Sequence, residues 1–165
     1  MQQAFPPIAR SDAKVLVLGT GPSRVSLEKR EYYGHPTNAF WPLMHRLFAD
    51  PIATYEEKTQ LLLRHHIALW DTLCRFEREG SLDSGYRKVE PNDLVPFLKA
   101  HESVQAVAFT GKKAQEFYRR FIAWYPPEIV FCALPSPSAA NTMPFAQKER
   151  AYRTFFARFL DVVPG

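Results

Sequence analysis

The sequence predicts a three-layer α/β/α sandwich around a central four-stranded, mainly parallel sheet. Four short apolar runs, at residues 15–18, 67–70, 107–109 and 129–133, are continuous rather than alternating. Continuous runs are typical of strands that are buried on both faces of a parallel sheet. Segments with helical periodicity separate these runs, and strands that alternate with helices form right-handed βαβ units.

The length and composition suit one domain. The chain has 165 residues, 46 % of them apolar, which is enough for a compact core. We therefore expect a single domain over residues 1–165. Residues 1–12, which precede the first strand, are expected to form an irregular N-terminal arm.

Helices are indicated between the predicted strands. Phe40, Met44 and Phe48 belong to an apolar stripe at helical spacing after the first strand. Thr54 and Glu57 are spaced as a capping box for a second helix. Apolar residues recur at helical spacing from Ala114 to Tyr125, and the last helix is expected to begin near Pro144 with an aromatic stripe at its core face.

Charge and cysteine usage exclude few functions. The formal charge of +4 fits a polyanionic partner but does not require one. The basic residues are dispersed along the sequence, so the charge is only weak support for DNA binding. Cys74 and Cys132 stand alone in apolar runs, and the five histidines lack metal-ligand spacing. We expect no cofactor, no metal and no iron–sulfur cluster. No run approaches the roughly 20 apolar residues of a membrane helix, and no signal peptide is recognisable. We therefore expect a cytoplasmic protein without a membrane partner. We also expect a monomer.

The segments that follow the strands are the candidate ligand-binding loops. In parallel α/β folds, ligands bind beyond the carboxyl ends of the strands. Residues 19–23 and 134–138 follow the first and last strands and are rich in small residues and proline, which let backbone approach a ligand closely. Asp71 follows the second strand. Its carboxylate is as consistent with a functional group as with the cap of a turn.

Common nucleotide and hydrolase motifs are incomplete. A dinucleotide-binding loop needs a third glycine after Gly21, but Arg24 stands there. A phosphate loop ending at Lys112 would need glycine in place of Ala106. Ser136 follows a strand, but prolines replace the glycines of a nucleophile elbow.

Residues 32–41 carry the most specific pattern. They read Tyr-Tyr-Gly-His-Pro-Thr-Asn-Ala-Phe-Trp, and by composition alone they predict a loop, a helix cap and a buried aromatic pair. After a strand and Gly-x-x-Pro, this run resembles motif 1 of the uracil-DNA glycosylase superfamily. Ile-Ala-Leu-Trp-Asp at 67–71 and Leu-Pro-Ser-Pro-Ser-Ala-Ala-Asn at 134–141 extend the resemblance to its hypoxanthine-DNA (deoxyinosine) glycosylases. The resemblance covers the chain from Val15 to Phe159.

Two positions depart from the pattern of many relatives. Many carry Asp or Asn where Gly21 stands, to position the attacking water, and His or Asn where Leu134 stands, to stabilise the departing base. Neither side chain here can do so. The hypoxanthine branch resembles this chain in lacking both groups, and there the asparagine that matches Asn38 is catalytic. Pro137 and Ser138 also make a poor apolar wedge for insertion into DNA.

The resemblance implies a monofunctional DNA glycosylase that flips out a deaminated base, preferably hypoxanthine, and hydrolyses its N-glycosidic bond for base excision repair. Its partner would be DNA that contains deaminated bases, which places it at the nucleoid when acting. The implied catalytic residue is Asn38. The implied base-binding residues are Gly19, Thr20, Gly21, Pro22, Tyr33 and Phe40. The implied DNA-binding residues are His35, Ser136, Pro137, Ser138 and Asn141.

Three alternatives stay open at this point. The enzyme could prefer uracil within the same superfamily. A non-catalytic α/β module that binds nucleotides or nucleic acid would tolerate Gly21 and Leu134. A hydrolase built on Ser136 is the third alternative, although no His/Asp partner follows from the spacing.

Overall fold

The computed structural model describes residues 1–79 and 85–165. The strands are β1 (Gln2–Gln3), β2 (Val15–Gly19), β3 (Ile67–Asp71), β4 (Leu73–Arg78), β5 (Tyr86–Pro91), β6 (Ala106–Thr110) and β7 (Val130–Leu134). The helices are α1 (Arg24–Lys29), α2 (Phe40–Phe48), α3 (Tyr55–Arg64), α4 (Leu94–Ala100), α5 (Lys112–Phe121) and α6 (Phe145–Phe156).

The central sheet has four parallel strands in the order β3-β2-β6-β7. Val15 of β2 pairs with Ile67 on one side and with Ala106 on the other. All five residues of β2 and of β6 are buried, which explains why these strands are continuous apolar runs. The predicted four-stranded sheet is confirmed, and it is wholly parallel.

Helices cover both faces of this sheet. Val15 and Val17 point to one face, where they join a core built with residues of α2, α3 and α6. Leu16 and Leu18 point to the other face and pack with residues of α4 and α5. This alternation follows from the period of two in a strand. The predicted three-layer α/β/α sandwich is therefore confirmed.

Two helix boundaries show how local sequence sets them. The capping box of α3 is present, since the Thr54 hydroxyl accepts from the Glu57 amide at 3.1 Å and the Glu57 carboxylate accepts from the Thr54 amide at 3.0 Å. Helix α5 ends at Phe121, although its apolar stripe continues to Tyr125. Ala123 has φ 49°, which interrupts the helical backbone just after this end. Pro126 disfavours helical backbone at Tyr125, and Tyr125 packs on β7 instead.

A second, antiparallel sheet in the order β1-β4-β5 was not predicted. Strand β4 begins two residues after β3 ends, and its Leu73 and Phe76 pack with Phe117 of α5 in a separate small core. This sheet lies next to the loop that follows β2, because the amide of Leu73 donates to the Thr20 carbonyl at 3.0 Å.

The sequence predicts an irregular N-terminal arm, but parts of the arm pair with strands. Gln2 and Gln3 pair with β4. Ile8 exchanges two hydrogen bonds with Leu69 of β3, at 2.9 and 2.8 Å. Strand β3 is an edge of the central sheet, and an unpaired edge exposes backbone donors and acceptors that a neighbouring segment can satisfy. The arm therefore covers this edge. Within the described residues, none of the helices has the length and apolar character needed to cross a membrane.

Candidate active site

A cavity of about 350 Å³ opens at the edge of the central sheet where the strands end. Gly19 ends β2, Asp71 ends β3 and Thr110 ends β6, and all three line the cavity. The loop from residue 135 to 144, called here the β7–α6 loop, closes one side of it. The cavity thus lies where the parallel topology predicted a ligand site, and its volume is within the usual range for small-molecule sites.

Most of the residues predicted from the sequence line this cavity. They are Gly19, Thr20, Gly21, Pro22, Tyr33, His35, Asn38, Ser136, Pro137 and Ser138. Phe40 and Asn141, which were also predicted to contact base or DNA, do not line it.

Tyr33 lines the cavity, and its side chain is held by a hydrogen bond at the phenol oxygen and by stacking of the ring. Its backbone has φ 52°, an uncommon conformation for a residue other than glycine. The phenol oxygen lies 2.8 Å from the Thr110 hydroxyl. The ring stacks on Phe40 with centroids 4.2 Å apart. Burial, with a smaller contribution from the nearby Asp71, raises the pKa of the phenol, so Tyr33 is neutral at physiological pH.

The prediction that Phe40 contacts the base is corrected. Phe40 is the first residue of α2 and is fully buried beneath Tyr33. The helix start turns this side chain into the core, so Phe40 supports the Tyr33 ring and is itself out of reach of a ligand.

Asn38 is held in place by backbone bonds. Its side-chain oxygen accepts from the Phe40 amide at 2.9 Å, and its own amide donates to the His35 carbonyl at 3.0 Å. The next amide, that of Ala39, donates to the Pro137 carbonyl at 2.8 Å, which ties this segment to the β7–α6 loop. A carbonyl oxygen has two lone pairs. The Asn38 oxygen can therefore still accept a hydrogen bond from a ligand or water.

His35 lies exposed at the rim of the cavity. Its Nδ1 lies 3.1 Å from the Thr37 amide, which donates to it. A neutral imidazole that accepts at Nδ1 carries its proton on Nε2. Nε2 is thus a hydrogen-bond donor on the outer surface of the site.

The β7–α6 loop is fixed from below by α6. The Tyr152 hydroxyl donates to the Pro135 carbonyl at 2.7 Å, and the Lys148 ammonium donates to the Ser138 carbonyl at 3.1 Å. Lys148 is buried, which lowers its pKa. The sequence analysis missed Lys148, yet it lies one helical turn before Tyr152 and therefore on the same face of α6.

Asn141, which was predicted to contact DNA, lies in the β7–α6 loop and does not line the cavity. Its amide nitrogen donates to the Ser136 carbonyl at 3.1 Å, and its amide oxygen accepts from the Met143 amide at 3.2 Å. Because both ends of the amide are bonded within the loop, Asn141 shapes the loop from inside. Pro137 lines the cavity but is largely buried, which agrees with its being a poor wedge.

The absence of a side chain at Gly21 has a structural cause. A Cβ atom at this position would lie 2.9 Å from Cε1 of Phe76 and 3.3 Å from the Tyr86 hydroxyl. Both neighbours belong to the antiparallel sheet. The space that an Asp or Asn side chain would occupy is thus already filled by β4 and β5.

Arg78 and Tyr86 are cavity-lining residues that the sequence analysis missed. The Arg78 guanidinium donates to the Tyr86 hydroxyl and to the Pro22 carbonyl. Its carbon lies 4.6 Å from the centroid of the Tyr86 ring. These contacts anchor the loop after β2 to the antiparallel sheet, whose mixed polar strands had given no apolar pattern.

Asp71 lines the cavity as a buried carboxyl group that is only 4 % exposed. Its Oδ2 atom has no hydrogen-bond partner within residues 1–79 and 85–165. Burial raises the pKa of Asp71 from 3.8 to about 7, although the positive charge of Arg78 opposes this rise. The structure therefore favours a functional carboxyl group over a turn cap, the two roles that the sequence had left open.

In the part of the chain that the structure describes, His, Cys, Asp and Glu side chains do not gather in groups of three or more that could hold a metal ion. The side chains that line the cavity are mostly neutral and polar or aromatic, and the charged or ionisable ones among the described residues include Arg78 and the buried Asp71.

Comparison with known proteins places this chain in one class, the DNA glycosylases. A profile of the uracil DNA glycosylase superfamily matches residues 6–160, and the chain belongs to that superfamily.

Two relatives are named hypoxanthine DNA glycosylase. The protein from Methanosarcina barkeri is 33 % identical over 118 residues, which is 70 % of this chain and 75 % of the relative. That from Methanosarcina acetivorans is 30 % identical over 159 residues, which is 94 % of this chain and 98 % of the relative. The solution NMR structure of a uracil DNA glycosylase candidate from Methanosarcina acetivorans superposes with a TM-score of 0.75 at 30 % identity, covering 92 % of this chain and 96 % of that one.

The resemblance inferred from residues 32–41, 67–71 and 134–141 is thus confirmed. The protein is a DNA glycosylase that acts on DNA, and a role in DNA repair follows. Of the three alternatives, the non-catalytic module and the hydrolase built on Ser136 are set aside by this membership.

Gly21→Ala tests whether the antiparallel sheet excludes a side chain at this position. The added methyl group would overlap the Phe76 ring, so we expect a loss of about 1–3 kcal/mol in the free energy of unfolding, the usual cost of overpacking. Thr20→Ala is the matched control, because it removes atoms from the adjacent residue and should leave stability nearly unchanged. Equal urea midpoints for wild type and Gly21→Ala would show that the space is open.

Asp71→Asn tests the raised pKa of Asp71 through the pH dependence of the free energy of unfolding. The folded-state pKa of about 7 exceeds the ordinary 3.8, so between these values the folded protein binds more protons and wild-type stability falls as pH rises. The Asp71→Asn variant has no carboxyl group at this position, so its free energy of unfolding does not fall in this way as pH rises. We expect it to be the more stable protein at pH 8, by at most about 4 kcal/mol, with the advantage shrinking towards pH 4.

Thermal unfolding across this pH range measures the effect. Asp93→Asn, at an exposed residue without a side-chain capping bond, is the control and should track wild type. A difference between Asp71→Asn and wild type that does not change with pH would contradict the raised pKa.

Proposed function

We propose that this glycosylase excises hypoxanthine from DNA by hydrolysing the N-glycosidic bond, and leaves an abasic site for base excision repair. The proposal is carried by one observation: a fixed aromatic ring, Tyr33, and a backbone-anchored amide, Asn38, line the same cavity in a chain that has no side chain at Gly21. The names of the two Methanosarcina relatives support hypoxanthine as the base.

Base flipping would bring the target into the cavity. A glycosylase cannot reach its bond inside the stacked duplex, and extruding a nucleotide costs a few kcal/mol, least at a mispaired base. Hypoxanthine pairs poorly with thymine, which lowers this cost. Phe40 covers one face of the Tyr33 ring, and we propose that a flipped base stacks on the cavity side of that ring. An aromatic face accepts any base in this way.

Asn38 would position the attacking water. Cleavage of the bond develops positive charge on the sugar, and such a centre accepts a neutral water without a strong nucleophile. The Asn38 oxygen is oriented by the Phe40 amide and keeps a lone pair for a water hydrogen. A neutral amide also avoids the cost of placing an unpaired charge in the site.

Contacts to the DNA backbone would fix the position of the enzyme. The Ser136 and Ser138 hydroxyl oxygens accept from the Ser138 and Ala140 amides, which leaves their hydrogens to donate to phosphates. His35 Nε2 is a further donor at the rim. Phosphate contacts of this kind set register without reading sequence. Residues 19–23 and 134–141 contain no lysine, so we propose a monofunctional enzyme without a lyase step.

Uracil is the second candidate base, favoured by the superfamily and by the NMR relative. Both bases carry an N–H group next to a carbonyl in a flat ring. A direct comparison on matched duplexes is therefore part of the test that follows.

Asn38→Ala should lower the single-turnover rate of excision by about 10²–10³-fold, the usual effect of removing one positioned polar group from a catalytic site. The measurement uses end-labelled duplexes that contain one deoxyinosine or one deoxyuridine, with alkaline cleavage of the abasic product. Gln60→Ala is the control, since it removes an exposed amide on α3 outside the cavity lining. A full rate in Asn38→Ala would exclude Asn38. Wild-type cleavage mainly at deoxyuridine would exclude hypoxanthine as the main base.

Ser136→Ala combined with Ser138→Ala should weaken binding to lesion DNA by about 5–100-fold, given the typical contribution of a lost hydrogen bond. The ratio of excision rates for the two bases should not change. Fluorescence anisotropy with a labelled duplex measures the affinity. Ser11→Ala, at an exposed residue of the arm, is the control. Unchanged affinity in the double variant would remove these serines from the DNA interface.

A further inference from the structure

The reaction leaves one chemical requirement unmet by the residues assigned so far. When the C1′–N9 bond breaks, its electron pair departs with the base, which leaves as an anion unless it gains a proton. Leu134 has an apolar side chain and cannot donate one. Asn38 is a neutral amide, and burial keeps the proton on the Tyr33 phenol. A proton donor facing the same cavity would meet this requirement.

Asp71 has the geometry of such a donor. It ends β3 and lines the cavity, and its Oδ2 atom is buried without a partner in the described residues. A Cβ atom at Gly19 would lie only 2.7 Å from Asp71 Oδ1. Glycine at this position thus makes room for the carboxyl group. An unpartnered, buried carboxyl oxygen that serves only the fold would be costly, since desolvating a polar group without a hydrogen bond is unfavourable.

The groups around Asp71 leave its proton available. Arg78 of β4 is the positive charge near it, but the guanidinium donates to the Tyr86 hydroxyl and to the Pro22 carbonyl, and no ion pair joins it to Asp71 among the described residues. The phenols of Tyr32 and Tyr33 also interact electrostatically with Asp71, and their pKa values are raised mainly by burial. The Tyr86 phenol and His35 line the same cavity. Burial raises the pKa of Asp71 to about 7, so this carboxyl group can carry a proton near neutral pH.

We propose that Asp71 is the general acid of this site and protonates the departing purine at N7. The step rests on the proposed function and is balanced: the O–H bond of Asp71 and the C1′–N9 bond break, and an N7–H bond forms. Hypoxanthine leaves neutral, Asp71 is left as a carboxylate, and water adds to C1′ and returns a proton to Asp71.

This role also distinguishes purines from pyrimidines. Purines present N7 as an acceptor, whereas a uracil nucleotide presents only carbonyl oxygens and an N–H group. A carboxylic acid aimed at N7 therefore assists hypoxanthine more than uracil. Asp71 would make the site selective for purines without a larger cavity.

The test compares wild type, Asp71→Asn and Asp93→Asn in single-turnover excision of deoxyinosine between about pH 5 and pH 9. We expect the wild-type and Asp93→Asn rates to fall as pH rises through about 7, because the acid loses its proton. Asp71→Asn should be about 10²-fold slower at the acid end and flat with pH. An Asp71→Asn enzyme that matches wild type in rate and in profile would overturn the proposal.

A second substrate separates proton donation from mere support of the site. In 7-methyldeoxyinosine the base already carries a positive charge and leaves neutral without a proton. Measured above spontaneous depurination, Asp71→Asn should cleave this duplex within a few-fold of wild type. An equally large defect on both substrates would show that Asp71 acts in another way, and thermal unfolding of the variant confirms that it is folded.

The outcomes also separate this proposal from the proposed function. If wild type releases hypoxanthine and Asp71→Asn is unaffected, only the role of Asp71 is wrong. If wild type releases no hypoxanthine at any pH, the proposed function fails, and the role of Asp71 fails with it.

Discussion

The parallel pairing of the central strands is the constraint on which the site depends. Gly19 pairs with Asp71 across β2 and β3, and Thr110 pairs with Leu134 across β6 and β7. This register brings all four strand ends to one edge of the sheet. The backbone of β2 then approaches the Asp71 carboxyl group so closely that only glycine fits at position 19. Thr110 bonds the Tyr33 phenol and so fixes the aromatic ring over the same edge.

The antiparallel sheet gives this site its particular character. Phe76 and Tyr86 fill the space beside Gly21, so the loop after β2 has no room for an acidic or amide side chain. In the proposed mechanism Asn38 positions the water instead. Its segment is tied to the β7–α6 loop through the bond from the Ala39 amide to the Pro137 carbonyl. Among the described residues that line the cavity, Asp71 is the one that carries a carboxyl group.

Local sequence was sufficient for the central sheet and for the capping box at Thr54. The resemblance to the glycosylases, rather than local sequence alone, supplied most of the predicted cavity-lining residues. Local sequence did not show β4 and β5, because only two residues of β4 and none of β5 are buried, and most of the others are polar or charged. Helices α1 and α4 have only 6 and 7 residues, too few for a clear apolar period. The sequence also did not show that Phe40 is buried or that Asn141 bonds within its own loop. These contacts depend on the backbone path at the start of α2 and in the β7–α6 loop. The pKa of Asp71 likewise depends on distant elements that remove it from water.

The most direct test of this account is a structure of the protein bound to a duplex that carries a non-cleavable deoxyinosine analogue. We expect the purine outside the duplex, stacked on Tyr33, with N7 within hydrogen-bond distance of the Asp71 carboxyl group and with Asn38 facing C1′ across a water molecule. A bound duplex with the purine still stacked inside it and the cavity free of base, or a purine seated elsewhere on the protein, would contradict the account.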